Sequence, residues 1–434
     1  MLINLNQSRC ETSQRLCIFE QIFTRMRKLL TILILVLLTY VSKGQQAWTH
    51  FDQTNSQLAN DVVHCIHLEN DTIAWIGTDF GLSKLVGSTF TNYYTSNSQI
   101  PANSIRSLAQ DTAGTLWVGT FSNGLGSFDG STWTLYNTLN SPMPDDFVRS
   151  LAIDTSNQKW IGTTGGLAKV DSLNNWTIYT MWNSILGSNN IAAIFVDTST
   201  NDKWIGTVNG GLLLVEKDTN LTSFTVQNSG ISDNTILGID RDNLGNTLMA
   251  SPANGLIVKL SGFGWFTYNL VSSNIPTAGL TSLKADATGE PWIGTFDKGL
   301  LYKNGSNFIM YDTSNSPLKD VHITSVKVDG TGKVWIGTAS KGLYILDPSL
   351  LTGIENTTLT PNVRVYPNPV NTHLNYIAGA SPLMIEITDL HGRVILQHHD
   401  TREAADVSSL QSGTYLARFR FSNGSTVNKT FIKQ

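Results

Sequence analysis

The 434-residue chain has little charge. Asp, Glu, Lys and Arg make up 14% of it, against about 25% in ordinary soluble domains. The formal net charge is −4, so the concentrated basic face that a nucleic-acid partner requires is absent. Three cysteines, Cys10, Cys17 and Cys65, exclude a disulfide framework. The one long apolar run, Leu29 to Leu38, is too short to serve as a permanent membrane span. No Gly-x-Ser-x-Gly elbow, His-Glu-x-x-His pair or phosphate loop occurs, so no residue is assigned a catalytic role and no cofactor is expected. No amphipathic helix of ordinary length appears between residues 47 and 347.

Ser, Thr, Asn and Gly take the place of charge, and they fall into a repeat. The string Trp-(Ile/Val)-Gly-Thr begins at Trp75, Trp117, Trp160, Trp204, Trp292 and Trp335, and Leu248-Met249-Ala250-Ser251 fills the single gap. An acid usually stands six residues before the Trp, as in Asp111 and Asp154. Gly-Leu follows each string, as in Gly124-Leu125. An aromatic segment such as Trp133/Tyr136 precedes an Asn-Ser turn. Units of about 40–50 residues with short strands and Gly/Asn/Asp/Ser punctuation predict propeller blades, here seven. The array opens with a spare aromatic strand, Trp48 to Phe51, and ends one strand short. The spare strand is therefore expected to close the ring, removing two open sheet edges. Recurring positions read as scaffold: Trp as packing between blades, its Gly as room for close approach, and the Asp-x-x-Gly hairpins as Asx turns rather than calcium loops.

The apolar strand, Asp-x-x-Gly, Trp-Ile-Gly-Thr and Gly-Gly-Leu together resemble the two-component regulator propeller repeat. That family builds periplasmic sensor regions of hybrid histidine kinases, but no kinase or DNA-binding domain follows here. After a Pro/Gly/Thr-bearing stretch at 348–361, Tyr366-Pro367-Asn368-Pro369, Asp389-Leu390-His391-Gly392-Arg393, Gly413-Thr414-Tyr415 and a basic finish resemble the C-terminal sorting domain of the type IX secretion system of Bacteroidetes. The resemblance implies handling by that secretion machinery through residues 362–434, then release or surface attachment.

The expected organisation is an all-β chain. Residues 1–44 form an N-terminal extension and signal peptide whose true start is expected at Met26, and 45–347 form a seven-bladed β-propeller. Residues 348–361 link it to a small β-sandwich at 362–434. The expected location is secreted or on the outer cell surface.

Departures from the repeat are the candidate site. One aligned inner-strand position reads His64, Arg106, Arg149, Ala192, Leu237, Thr281, Thr324. Basic or titratable groups in blades one to three suit an acidic glycan or another carboxylate ligand. The alternative is that the arginines pair with loop carboxylates such as Asp145 or Asp146. His67 and His322 are near enough in the pattern to raise a metal site, but no metal is assigned. Trp182 lies out of register beside Met181; it either packs under its loop or offers an aromatic face to a partner or sugar. The ligand-binding candidates are thus His64, Arg106, Arg149 and Trp182. The expected function is non-catalytic binding of an extracellular glycan or protein. A propeller lyase acting on acidic polysaccharide and a structural or adhesive surface protein are the alternatives.

Overall fold

Each Trp-x-Gly-Thr string forms the second strand of a four-stranded antiparallel sheet in the computed structural model, which describes residues 47–262, 264–351, 363–378, 382–389, 393–398, 404–421 and 426–434. The expected signal peptide, Cys10 and Cys17 and most of the expected linker lie outside these residues. Seven such sheets are present among them, each holding one inner strand: Val63–Asn70, Ile105–Gln110, Val148–Ile153, Ile191–Val196, Gly238–Arg241, Leu280–Ala285 or Ile323–Val328. The degenerate copy supplies the second strand Thr247–Ser251 like any other. No α-helix occurs among the described residues; one 3-10 turn spans Pro348–Leu350.

Ring closure follows from the strand count. The seventh sheet runs Trp48–Phe51, Leu343–Leu346, Val334–Thr338, Ile323–Val328. His50 stacks on Tyr344 with centroids 4.1 Å apart, and its Nε2 lies 2.8 Å from the Lys341 carbonyl. Gly342 has φ +76°, and a side chain there would strike the Phe51 carbonyl. Only glycine takes this turn without strain.

The repeat now has a physical reading. The string's Thr hydroxyl donates to the carbonyl of the Gly that opens the third strand, as Thr120 does to Gly124 at 2.8 Å. The Trp indole N–H donates to the acid six residues earlier: Trp75 to Glu69, Trp117 to Asp111, Trp160 to Asp154 and Trp335 to Asp329, at 2.9–3.1 Å. The same aspartates close Asx turns by accepting backbone N–H groups, as Asp154 does from Ser156 and Gln158. Each Trp reaches the next blade. Trp75 packs with Ile105 and Val118, Trp117 with Val148 and Ile161, and Trp160 with Ile191 and Ile205. The turn acids also take cations from that neighbour: Lys159 approaches Asp111 at 3.7 Å, Lys203 approaches Asp154 at 3.0 Å, and Arg241 pairs with Asp197.

The C-terminal strands form two facing antiparallel sheets, one with three strands and one with four. Val363, Leu374 and Ala405 from the first share a core with Ile385, Ile387, Ala417, Phe419 and Phe431 from the second. This is a small β-sandwich.

Candidate functional site

The inner strands share a defect that points side chains inward. In six of seven, the pairing with the second strand skips one residue: His64, Arg106, Arg149, Ala192, Thr281 and Thr324. These are β-bulges, which bend a strand and re-aim the extra residue. The seventh copy, Leu237, precedes a shorter inner strand and still donates its N–H to the Ala250 carbonyl. The aligned position therefore belongs to the mouth of the central bore. A cavity of about 200 Å³ beneath it is lined by residues from all seven inner strands, Arg106 and Arg149 among them.

His64, Asp79 and Arg106 form one cluster. Asp79 follows the first Trp-Ile-Gly-Thr string, in the turn between the second and third strands. Its Oδ1 lies 3.1 Å from His64 Nε2, accepts from Arg106 Nη2 at 3.1 Å, and accepts from Ser104 Oγ at 2.9 Å. Arg106 Nη1 lies 3.0 Å from His64 Nδ1. A guanidinium only donates, so Nδ1 is the acceptor and Nε2 carries the proton given to Asp79. Both ring nitrogens are thus committed. Burial and the adjacent Arg106 push the His64 pKa down, which keeps the ring neutral. Burial works against ionisation of Asp79, but the hydrogen bonds from His64 and Ser104 and the charge of Arg106 hold its pKa below the ordinary carboxylate range.

Arg149 stands next in the ring. Its Nη1 donates to Asn190 Oδ1 at 2.8 Å, a neutral partner. Burial and then the charge of Arg106 lower its pKa. The two guanidinium groups flank an aromatic pair. Arg106 lies 4.9 Å over the Phe121 ring and Arg149 5.8 Å from that of Phe147. The two rings are 4.6 Å apart, and Phe121 is 47% exposed. On the far side of the mouth the aligned residues are neutral: Ala192, Leu237, Thr281 and Thr324. The mouth therefore has a cationic, aromatic half and a neutral half.

Of the predicted site residues, the structure brings His64 and Arg106 into contact and places Arg149 on the same cavity. The alternative of pairing with loop carboxylates holds for Arg106, whose partner is Asp79 rather than Asp145 or Asp146, and not for Arg149. Asp145 accepts the Phe147 N–H and Asp146 accepts from Thr138. Trp182 stands apart, on the turn that follows the strand Trp176–Tyr179. It does not pack under its loop but is 88% exposed, and its neighbour Met181 is exposed too. The Met181 N–H donates to Asn189, so the segment carrying Trp182 closes beside Asn190, the partner of Arg149. His322 packs on Phe296 at 5.1 Å. Among the described residues no cluster of His, Cys, Asp or Glu could hold a metal ion. Asp240 accepts from Lys284 and from the Ala285 N–H.

Sequence reasoning missed Asp79, Asn190, Phe121 and Phe147. They sit in turns where the repeat has no consensus. The signal was available at the residue just after each string, which reads Asp79, Phe121, Thr164, Val208, Pro252, Phe296, Ala339.

Residues 364–434 match the family model for a secretion system C-terminal sorting domain, and residues 99–122 match that for a two component regulator propeller. No curated protein matches the chain in sequence. Among solved structures, the chain is similar to the extracellular domain of a hybrid two component system from B. thetaiotaomicron, with TM-score 0.61 and 21% identity over 89% of this chain and 57% of that one. It is also similar to PorZ, a surface component of the type-IX secretion system of Porphyromonas gingivalis, with TM-score 0.56 and 17% identity over 89% of this chain and 60% of that one. A third is virginiamycin B lyase from Staphylococcus aureus, with TM-score 0.57 and 13% identity over 69% of this chain and 98% of that one. The chain thus spans less than two thirds of the first two, and at these identities the likeness shows the fold alone. The sorting domain marks the chain for export to the cell surface or for secretion, and no helix among the described residues is long and apolar enough to cross a membrane. The chain folds as a seven-bladed β-propeller, matches the two component regulator propeller model over one stretch of it, and ends in a type IX secretion system C-terminal sorting domain.

Proposed function

We propose that this chain is an exported, non-catalytic propeller that binds an extracellular ligand, a glycan or a protein, at the mouth of its bore. The observation that carries the reading is the one-sided mouth. Symmetric repeats present the same residue seven times, yet here two arginines, a neutral histidine and two aromatic rings gather on one arc. Guanidinium forks suit carboxylate groups, and exposed ring faces suit the apolar face of a sugar or a peptide side chain. Trp182 adds an aromatic contact on the loop that leads to Asn190.

The state of His64 favours binding over lyase chemistry. A general base needs a free nitrogen within reach of the proton it takes. Both nitrogens of His64 are engaged, one by a guanidinium and one by a carboxylate. Its role in this reading is to hold Arg106 and Asp79 in place.

The test uses the purified full chain on a glycan array and, for hits and for candidate protein partners, in calorimetry. Binding without turnover is expected, and Arg149→Ala or Trp182→Ala should weaken it by about tenfold or more, as loss of one charge-assisted or aromatic anchor does. Release of ultraviolet-absorbing unsaturated products from an acidic polysaccharide, lost in His64→Ala, would overturn the reading in favour of a lyase.

A further inference from the structure

The bore beneath the mouth holds more positive charge than it can neutralise. Three residues beyond the bulge, each inner strand returns to the bore, and that second position reads His67, Ala109, Ala152, Phe195, Asp240, Lys284, Lys327. Lys284 pairs with Asp240 at 3.1 Å. Lys327 has no hydrogen bond or ion pair among the described residues, and the residue is exposed and lines the cavity. Arg149 has only the neutral Asn190. Arg106 shares Asp79 with His64, and its Nε is buried with no partner. Counting both levels, Arg106, Arg149, Lys284 and Lys327 face Asp79 and Asp240, four cations against two carboxylates. The residues lining the cavity of about 200 Å³ include Arg106, Arg149 and Lys327 and no acid.

Like charges gathered on one cavity repel one another, and here they come from three different blades. Anything anionic that enters relieves all three groups at once. At about 30 Å³ per water the cavity has room for roughly six or seven waters, enough for a tetrahedral or planar oxyanion with part of its hydration.

We propose that the bore is a binding site for one compact oxyanion, a carboxylate, sulfate or phosphate group, held by Arg149, Lys327 and the Nε–H of Arg106. The site deepens the mouth reading and rests on it in one respect: the anion is either a free ion or the charged end of the ligand that the mouth receives. Lys327 belongs only to the bore, so the two ideas separate experimentally.

The experiment follows the thermal midpoint of the full chain as sodium sulfate, phosphate or malonate is titrated against sodium chloride at matched ionic strength. One or more of the oxyanions should raise the midpoint in a saturable way that chloride does not reproduce, with calorimetry giving one site. Lys327→Gln and Arg149→Gln should each shift the half-saturating concentration upward by about tenfold or more, as removal of a charge-assisted partner does. Lys327→Arg should retain the effect. Because it removes an unpaired charge, Lys327→Gln should melt no lower than the parent in chloride. Calorimetry on the unaltered chain decides the matter even if a variant fails to fold. A midpoint that responds to chloride and oxyanions alike, or an oxyanion response that survives in Lys327→Gln, would overturn the proposal. A uronate oligosaccharide that competes with sulfate identifies the anion as the end of a larger ligand; a non-competing one identifies a free ion. An anion response dependent on Lys327, in a chain that binds no glycan or protein, would keep this site and discard the mouth reading.

Discussion

Asp154 is where the repeat's hidden chemistry can be measured. Its carboxylate is buried and accepts from the Trp160 indole at 3.0 Å and from the Ser156 and Gln158 N–H groups at 2.9 Å. Lys203 from the next blade, itself fully buried, approaches at 3.0 Å. Asp154→Ala leaves a buried indole N–H unsatisfied, which alone costs about 1–3 kcal/mol. It also removes one of two carboxylates from an enclosed ammonium; breaking a buried pair from one side costs about 3–5 kcal/mol. Lys203 keeps Asp218, and the penalties overlap, so the expected total is about 3–4 kcal/mol. For a large domain this is a fall in Tm of roughly 6–16 °C at about 2–4 °C per kcal/mol. Asp171, a half-buried Asx-turn aspartate whose carboxylate accepts only from Leu173 and Asn175, is the control, with a clearly smaller expected loss. Urea unfolding of the full chain reads both. A loss below about 1 kcal/mol for Asp154→Ala, or one equal to Asp171→Ala, would refute the claim that this acid links blades. A companion double variant, Asp154→Leu with Lys203→Met, should recover much of the loss, because a buried ion pair replaced by apolar groups of similar size is often neutral.

Three further outcomes are expected. Gly162→Ala places a methyl group against Ser150 Oγ and within 2.6 Å of Ile191 Cγ2, so it should destabilise by about 1–3 kcal/mol, read in the same unfolding assay. Burial, then Lys327, pushes the His67 pKa down to about 4. The unfolded chain then takes the proton first, so stability should fall as pH drops from about 6.5 to 4 and level off below that. His67→Gln should flatten that limb of the Tm-against-pH curve. Trp182→Ala should leave Tm within about 2 °C of the parent, because the ring is exposed and buries little area, while weakening ligand capture on the array.

The fold was legible because its causes are local and repeat. A fixed step between Trp-x-Gly-Thr strings gives the blade count, and the spare Trp48–Phe51 segment gives the closure seen at His50 and Tyr344. The acid before each Trp was visible as a turn former but not as the indole's acceptor, since six residues of separation become contact only when two antiparallel strands fold back. The site was legible in part. His64, Arg106 and Arg149 stand out by breaking a repeat. Asp79, Phe121, Phe147 and Asn190 do not, because turns carry no consensus to break. Lys327 was missed for a geometric reason. Strict alternation would face residues three apart to opposite sides of a strand, and the bulge between them restores both to the bore.

The bulged position also explains why the cationic arc could arise without weakening the ring. In the sixth blade Thr281 spends its hydroxyl on the Ile323 carbonyl of the next inner strand, at 2.6 Å, and in the seventh Thr324 does the same to Val63, at 2.5 Å. Those two side chains are structural ties between blades. In the second and third blades the following residues, Ser107 and Ser150, reach the neighbouring Val148 and Ile191 carbonyls instead, at 3.2 and 3.5 Å. With the tie moved one residue along, the bulged position no longer has to be small and hydroxylated, and an arginine fits there. A swap tests this division of labour: Arg149→Thr should keep full stability, because Ser150 still ties the third blade to the fourth, whereas Thr281→Arg should lose about 1 kcal/mol or more unless Ser282 takes over the bond to Ile323. Equal losses in the two variants, measured by urea unfolding, would mean that the serines are bystanders and that the arginines themselves hold the blades together.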